Sequence, residues 1–393
     1  MPPIRVALIG LSSSAKVTWA ADAHLPYLLS PTGQKHYLLT ALLNSSATAA
    51  EAAKHHFKLP SSIKTYGDPA ALAADPAIDL VVCCTRVDVH FRTIEPSLRA
   101  GKAIFVEWPL TESLARAVEL TRGEKLRDSI VGLQGRVSPI TLRIKEILAT
   151  GTIGKVLSSN VRSFGSMLPR DSLPEALTYF ADRKVGGNPM NIENGHTLDY
   201  IHEVLGEFER FSSRMQIQRP TVKILDAQGK EEGTVETDVP DLLAIHGALK
   251  QRDGRMPVAK GALLSVTFRH GPPFKGDPAL TWSINGEKGE LLVTIGDQYL
   301  HSHTIEPIGI KVHDHASDEV KDFTWEWQGW QEELPMRARI IAELYERYAE
   351  WVEGGKEIVK EGREWPRVED AVVRIEQFDR IYKQFDPDWE ERT

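Results

Sequence analysis

The chain has 393 residues, enough for two or three domains, with 47 Lys plus Arg against 55 Asp plus Glu and a net charge of −8. That acidic balance lacks the basic footprint of a nucleic-acid binder, and 41% hydrophobic with 26% charged residues excludes a disordered composition. The two cysteines, Cys83 and Cys84, are neighbours in an apolar run, which argues against a disulfide or a zinc-finger spacing and for a reducing compartment. The N-terminus carries no secretory apolar region, no stretch reaches the ~20 apolar residues of a membrane span, and neither end carries a lipidation signal. The expectation is a cytoplasmic protein, nuclear entry remaining open, with no membrane and no direct nucleic-acid partner.

Short, near-continuous apolar runs occur at Ile4–Ile9, Tyr37–Leu43, Ile78–Cys84, Ala103–Val106 and Ile130–Leu133, as in strands buried on both faces of a parallel sheet. Helical patterns at Trp19–Leu29, Ala47–Phe57, Val89–Ala100 and Ser113–Arg122 alternate with them, the last two stopped by Gly101 and Gly123. This alternation predicts an α/β Rossmann domain, a doubly wound parallel sheet over residues 1–150 that includes a connecting helix at Ser138–Ala149. Beyond it, strands at Val156–Arg162, Leu263–Arg269, Leu280–Asn285 and Glu290–Ile295 follow with few helices between, and Ile284–Val293 reads as a hairpin. They predict a C-terminal α+β domain over residues 151–393, with a largely antiparallel open sheet. Arg219–Pro240 and Gly247–Lys260 read as surface loops. Two final helices, Pro335–Val352 and Val368–Gln384, are placed with this domain, with the option that they pack back on the first.

The first chemical signal follows the first strand: Gly10-Leu-Ser12-Ser13-Ser-Ala15. A dinucleotide fingerprint wants Gly-x-Gly-x-x-Gly/Ala there, so that backbone N–H groups approach a pyrophosphate closely. Serine replaces the middle glycine, but it is small and can donate a hydrogen bond to phosphate. The second strand ends at Asn44 and Ser45 with no Asp or Glu to hold an adenosine ribose, so the cofactor expected is NAD(P) with a slight lean to NADP.

Thr85-Arg-Val-Asp-Val-His90, Ala100-Gly101-Lys102, and Phe105-Val-Glu107-Trp108-Pro109-Leu110 together resemble the glucose–fructose oxidoreductase, inositol dehydrogenase and MocA family. Gly186-Gly187 and Gly195-His196-Thr-Leu-Asp199 extend the resemblance over nearly the whole chain. Leu133-Gln-Gly-Arg136-Val-Ser138-Pro139 and Gly151-Thr-Ile-Gly154 look like its fungal branch of galactose-pathway repressors. The resemblance implies that Thr85, His90, Glu107, Trp108 and Pro109 border the cofactor, and that His196 is the active-site histidine with Asp199 beside it.

Two departures matter. The family's lysine in Glu-Lys-Pro is Trp108, whose indole has no acid–base chemistry near neutral pH, and the usual Asp four residues before the histidine is Ile192, with Glu193 adjacent. His196 alone remains to handle protons; it and Asp199 also fit a plainer role at the start of a helix. Arg136 and Lys184 are cationic candidates for an anionic or polyhydroxylated substrate. His301/His303 and His313/His315 have strand spacing for paired metal ligands but no third partner, so no metal is expected. The Trp325-Glu-Trp327-Gln-Gly-Trp330 run is expected to cover the second sheet or an interface.

Two functions stay open: an oxidoreductase acting on a carbonyl or secondary alcohol of a sugar, polyol or secondary-metabolite substrate, or a non-catalytic NAD(P)-binding transcriptional regulator that binds a protein partner. A homodimer through an apolar open face of the second sheet is also expected.

Overall fold

The computed structural model describes residues 2–15, 19–122, 126–165, 168–296, 300 and 307–388. Two compact units emerge from it: residues 1–137 with 327–375, and residues 138–326 with 376–390.

In the first unit, β1 (Ile4–Ile9), β2 (Tyr37–Leu43), β3 (Lys64–Tyr66), β4 (Leu80–Cys83), β5 (Ala103–Glu107) and β6 (Ser129–Gly132) form one sheet in the order β3-β2-β1-β4-β5-β6. Every pairing is parallel. This is the doubly wound order, and its strand order reverses between β1 and β4, the place where such sheets bind ligands. The five apolar runs are strands because Val6, Leu42, Val82, Phe105 and Ile130 are all fully buried. Edge strand β3 was not legible: Lys-Thr-Tyr has no apolar run and is only half-buried.

The helix expected at Trp19–Leu29 divides into a π-helical turn, Ala20–His24, and an α-helical one, Leu25–Leu29. The helix Met336–Glu353 belongs to this unit: Ile340, Ile341, Leu344 and Tyr345 join Val6, Leu8, Tyr27 and Phe105 in one core. Helix Val368–Phe385 runs from residues of one unit into residues of the other. Conversely, Pro139–Ala149 belongs to the second unit rather than extending the first, because Ile140, Ile144 and Ile147 lie in the second core.

The second unit is built on an eight-stranded sheet. Its strands are β7 (Val156–Gly165), β9 (Phe208–Gln216), β12 (Leu242–Leu249), β13 (Val258–His270), β14 (Leu280–Gly286), β15 (Gly289–Ile295), β16 (Ile308–Asp314) and β17 (Glu319–Asp322). Their order is β17-β16-β15-β14-β7-β13-β12-β9, and only β7–β13 among these pairs is parallel. β8 (Ser172–Pro174), β10 (Thr221–Leu225) and β11 (Glu231–Glu236) make a second, small sheet. The segment Arg219–Pro240, read as loop, is therefore largely a hairpin. Its charged faces hid the alternation by which Val222, Ile224 and Val235 pack near Leu173. Gly247–Lys260 is likewise strand at both ends.

Register explains the asymmetry of the large sheet. Ile245, Val266, Val161, Trp282, Val293 and Ile310 stand side by side on the buried face. One residue along, His246, Ser265, Asn160, Ser283, Leu292 and Lys311 line the other face. The open face is thus mostly hydroxyl, amide and charged side chains, not the apolar surface expected, because the period-two alternation sends the branched residues inward. Trp325 packs on the second core, and Trp327 and Trp330 on the first. Among the described residues no helix is long and apolar enough to cross a membrane.

If Met336–Glu353 completes the first core, Ile341→Ala, at a fully buried site, destabilises that unit by about 2–5 kcal/mol. Denaturant unfolding followed by tryptophan fluorescence measures this; a loss below ~1 kcal/mol contradicts the packing.

Candidate functional site

The turn after β1 is fixed by a close approach. Gly10 has φ +91°, and a Cβ built on it would lie 2.5 Å from the Cys84 carbonyl oxygen at the end of β4. Only glycine meets both conditions, so the backbone of the turn stays open toward the switch point. Within the turn, the Ser12 Oγ accepts from the backbone N–H groups of Ser14 (3.2 Å) and Ala15 (3.1 Å). The side chain that replaces the fingerprint's second glycine satisfies the same kind of amides that a phosphate oxygen would. Ser13 and Ala15 are exposed.

Asn44 turns inward: its amide Nδ2 donates to the Leu11 carbonyl at 2.8 Å and ties the tip of β2 to the turn. Ser45 is exposed, while Ser46 caps the helix Ala47–His56 by accepting from the Ala49 N–H. Of the residues expected at this tip, Ser45 is the one whose side chain faces solvent.

The loops after β4 and β5 are joined by His90. Its buried ring lies between the Thr85 carbonyl, 2.9 Å from Nε2, and the Pro109 and Leu110 carbonyls, 3.0 and 3.2 Å from Nδ1. Burial lowers its pKa, with the facing carbonyls pulling the other way. His90 therefore holds the two loops together rather than presenting a free ring. Thr85 is half-buried beside Gly10.

Glu107 is also turned inward. Its Oε1 lies 2.8 Å from His24 Nε2, and the His24 Nδ1 is 2.9 Å from the Tyr345 hydroxyl. Gly132 makes room for it, since a Cβ there would sit 2.5 Å from the carboxylate. The Trp108–Pro109 peptide bond is cis, and both residues are buried. Trp108 is 6% exposed and packs in the apolar cluster of Phe91, Ile94, Leu110 and Leu133. Where the family carries a lysine, this chain has a core residue. Arg136 donates to Asp370 at 2.8 Å, so its charge already has a carboxylate partner.

In the second unit, Asn188 caps the long helix Pro189–Leu205 by accepting from the Asn191 N–H. The helix starts seven residues before His196, so neither His196 nor Asp199 lies at a helix start, as the plainer reading had it; both are well inside, one turn apart. The cause is local: Asn188-Pro189 gives an N-cap and an N1 proline that outweigh the glycine at position 195. His196 is 5% exposed and Asp199 1%. Burial drives the His196 pKa down to about 3, so its ring is neutral at ordinary pH.

Glu193, one turn earlier, is buried, and a Cβ on Gly165 would lie 2.5 Å from its carboxylate and 3.2 Å from His270 Nδ1. No spacing in the sequence connects His270 to this helix; both border Gly165 at the end of β7. Lys184 is exposed in a short helical turn, its backbone N–H bonded to Asp182. His313 pairs with Asp318 at 2.8 Å on the surface, whereas His301 and His303 lie outside the described residues.

Residues 4–134 match the oxidoreductase family with NAD-binding Rossmann fold, and residues 139–295 match the Gal80p C-terminal-like domain. The chain is 29% identical over 388 residues to the dehydrogenase aclE of Aspergillus oryzae, covering 97% of this chain and 95% of that protein. It is 29% identical over 300 residues to the galactose/lactose metabolism regulatory protein GAL80 of Saccharomyces cerevisiae, covering 74% of this chain and 66% of that protein. Among solved structures, a super-repressor mutant of the Saccharomyces cerevisiae Gal80p has the same fold, with a TM-score of 0.81 at 24% identity, covering 98% of this chain and 96% of that one. Levoglucosan dehydrogenase in complex with NADH and L-sorbose shares it at a TM-score of 0.72 and 16% identity, covering 98% and 97%. Residues 4–134 are thus similar to the NAD-binding domain of that oxidoreductase family, and residues 139–295, next along the chain, to the C-terminal domain of Gal80p.

Proposed function

We propose that this protein is an NAD(P)-dependent oxidoreductase acting on a carbonyl or secondary alcohol of a sugar, polyol or secondary-metabolite substrate. The observation that carries the reading is the Gly10 turn at the switch point, a backbone cradle that any Cβ would fill. The amides of Gly10–Ala15 would hold the pyrophosphate, Ser45 would meet the adenosine ribose, and Thr85 and Pro109 would border the other half of the dinucleotide. Bound there, the cofactor supplies the hydride chemistry. The tip of β2 has no carboxylate to repel a 2′-phosphate, which supports the slight lean to NADP.

His196 is the residue assigned to the substrate oxygen, and its depressed pKa defines how it works. A ring that stays neutral polarises a carbonyl by donating an N–H hydrogen bond, without passing through imidazolium. Asp199 is its positioning residue, and Lys184 the exposed cation available to substrate.

The second reading, a non-catalytic dinucleotide-binding regulator with a protein partner, is favoured by Trp108, buried where the family's proton-relaying lysine stands. The deciding experiment titrates the protein with NADH and NADPH, then screens sugars, polyols and ketones for turnover. Turnover supports the enzyme. Binding without turnover, together with a partner recovered only when dinucleotide is present, replaces it with the regulator.

Two variants sharpen the test. Ser12→Gly frees the amides of Ser14 and Ala15 from an internal bond worth about 0.5–1.5 kcal/mol, so fluorescence titration should give dinucleotide binding about 2–10-fold tighter. Unchanged affinity would remove those amides from the site. His196→Ala should lower kcat about 10²–10⁴-fold with dinucleotide affinity intact. Because burial favours the neutral ring, the wild-type kcat should show no step between about pH 5 and 8 from this group. A protonation step near 6.5 that vanishes in His196→Ala would show an ordinary imidazolium acid instead.

A further inference from the structure

The first unit contains a cluster, buried at His24 and Glu107 and half-buried at Cys84, that the dinucleotide reading does not use. The side-chain ligand atoms of His24, Cys84 and Glu107 all lie within 4.8 Å of one another. We propose that these three residues form a binding site for a borderline transition-metal dication of the Zn²⁺ type, behind the dinucleotide cradle.

The donor set selects the ion. One imidazole, one thiol and one carboxylate match the N, S and O ligands that zinc takes, whereas Mg²⁺ and Ca²⁺ want oxygens alone. With Cys84 as thiolate, Glu107 as carboxylate and His24 neutral, the protein contributes two negative charges, and a dication brings the site to neutrality. That balance matters here, because His24 and Tyr345 are 0% exposed and Glu107 8%, and an uncompensated charge among them is costly. The fourth position falls to the second Glu107 oxygen or to a water.

The surroundings also fit. A metal-bound histidine almost always donates its other ring N–H to an oxygen, and His24 Nδ1 has the Tyr345 hydroxyl at 2.9 Å. The ring is braced edge-on against Phe105, with centroids 5.0 Å apart. His24 ends the π-helical turn Ala20–His24, where the Leu25 N–H bonds to the Ala20 carbonyl; such insertions recur at functional sites. In the neutral tautomer with the proton on Nε2, Glu107 accepts from His24 Nε2–H and Nδ1 accepts from the Tyr345 hydroxyl, while burial pushes the Cys84 thiol up. On binding, the thiol proton leaves to solvent and the ring proton moves to Nδ1, so atoms and charge balance. The metal-free network is complete, so the protein folds without the ion.

The three ligands come from the helical turn that follows the Gly10 cradle, the end of β4 and the end of β5. One ion would therefore pin three segments around the switch point.

The test uses full-length, chelator-treated protein and Co²⁺ as a spectroscopic probe. Stoichiometric Co²⁺ should give the visible bands of a tetrahedral ion and a thiolate-to-metal charge-transfer band, both removed by Zn²⁺. Cys84→Ser should lose the charge-transfer band while circular dichroism and dinucleotide affinity stay unchanged. Cys83→Ser should keep it, and Tyr345→Phe should keep the band but weaken Zn²⁺ binding about 10–100-fold. No charge-transfer band in the wild type, or one that persists in Cys84→Ser, overturns the site. Because the readout is the metal spectrum, the result does not depend on whether the protein turns over a substrate.

Discussion

The contact between Gly10 and the Cys84 carbonyl governs much of the first unit. It lets the chain leave β1 and cross the end of β4 with no side chain between them, at the one place where the sheet order reverses. From there Asn44 ties the neighbouring strand tip to the turn, and His90 bridges the loops beyond β4 and β5. Each tie is a polar group satisfied by a backbone partner, which is how loops at a sheet edge hold their shape without an apolar core of their own.

The second unit solves a different problem. Its long helix Pro189–Leu205 is buried nearly all round, yet carries Glu193, Asn194, His196, Thr197, Asp199 and His202. A buried helix is ordinarily apolar on every side. His202 shows a structural use, bonding the Gly206 carbonyl and Gln377. Glu193 and His270 instead both border Gly165 at the end of β7, where a Cβ would come within 2.5 Å of the carboxylate and 3.2 Å of the ring. Desolvated polar groups at this density are what an ordinary packing helix avoids.

Much of the fold was legible from local pattern. β1 and β2 have the expected bounds because their apolar runs are buried on both faces, and the turn signals at Gly101 and Pro139 mark real helix ends. What escaped was set by tertiary partners. β3 and the β10–β11 hairpin are polar strands that exist through pairing, and the start of Pro189–Leu205 was obscured by its internal glycine. At the site, the spacing of Gly10 to Ala15 was readable. The inward turn of Glu107, the Asp370 partner of Arg136 and the burial of Trp108 were not, since each depends on residues distant in sequence. His24 and Tyr345, 321 positions apart, leave no trace in any window.

The helix Met336–Glu353 has a consequence for how the protein is made. Chains emerge from the ribosome N-terminus first, and domains fold as units. Here the sheet of the first unit is complete after about 130 residues, but Ile340, Ile341, Leu344 and Tyr345 of its core arrive only after the whole second sheet has been synthesised. Throughout that interval Tyr27, Tyr37 and Phe105 lack their cover and remain open to solvent or to a chaperone. The part of the molecule translated first is thus among the last to close, and a ribosome that stalls within the second sheet leaves a Rossmann domain with one side of its core exposed.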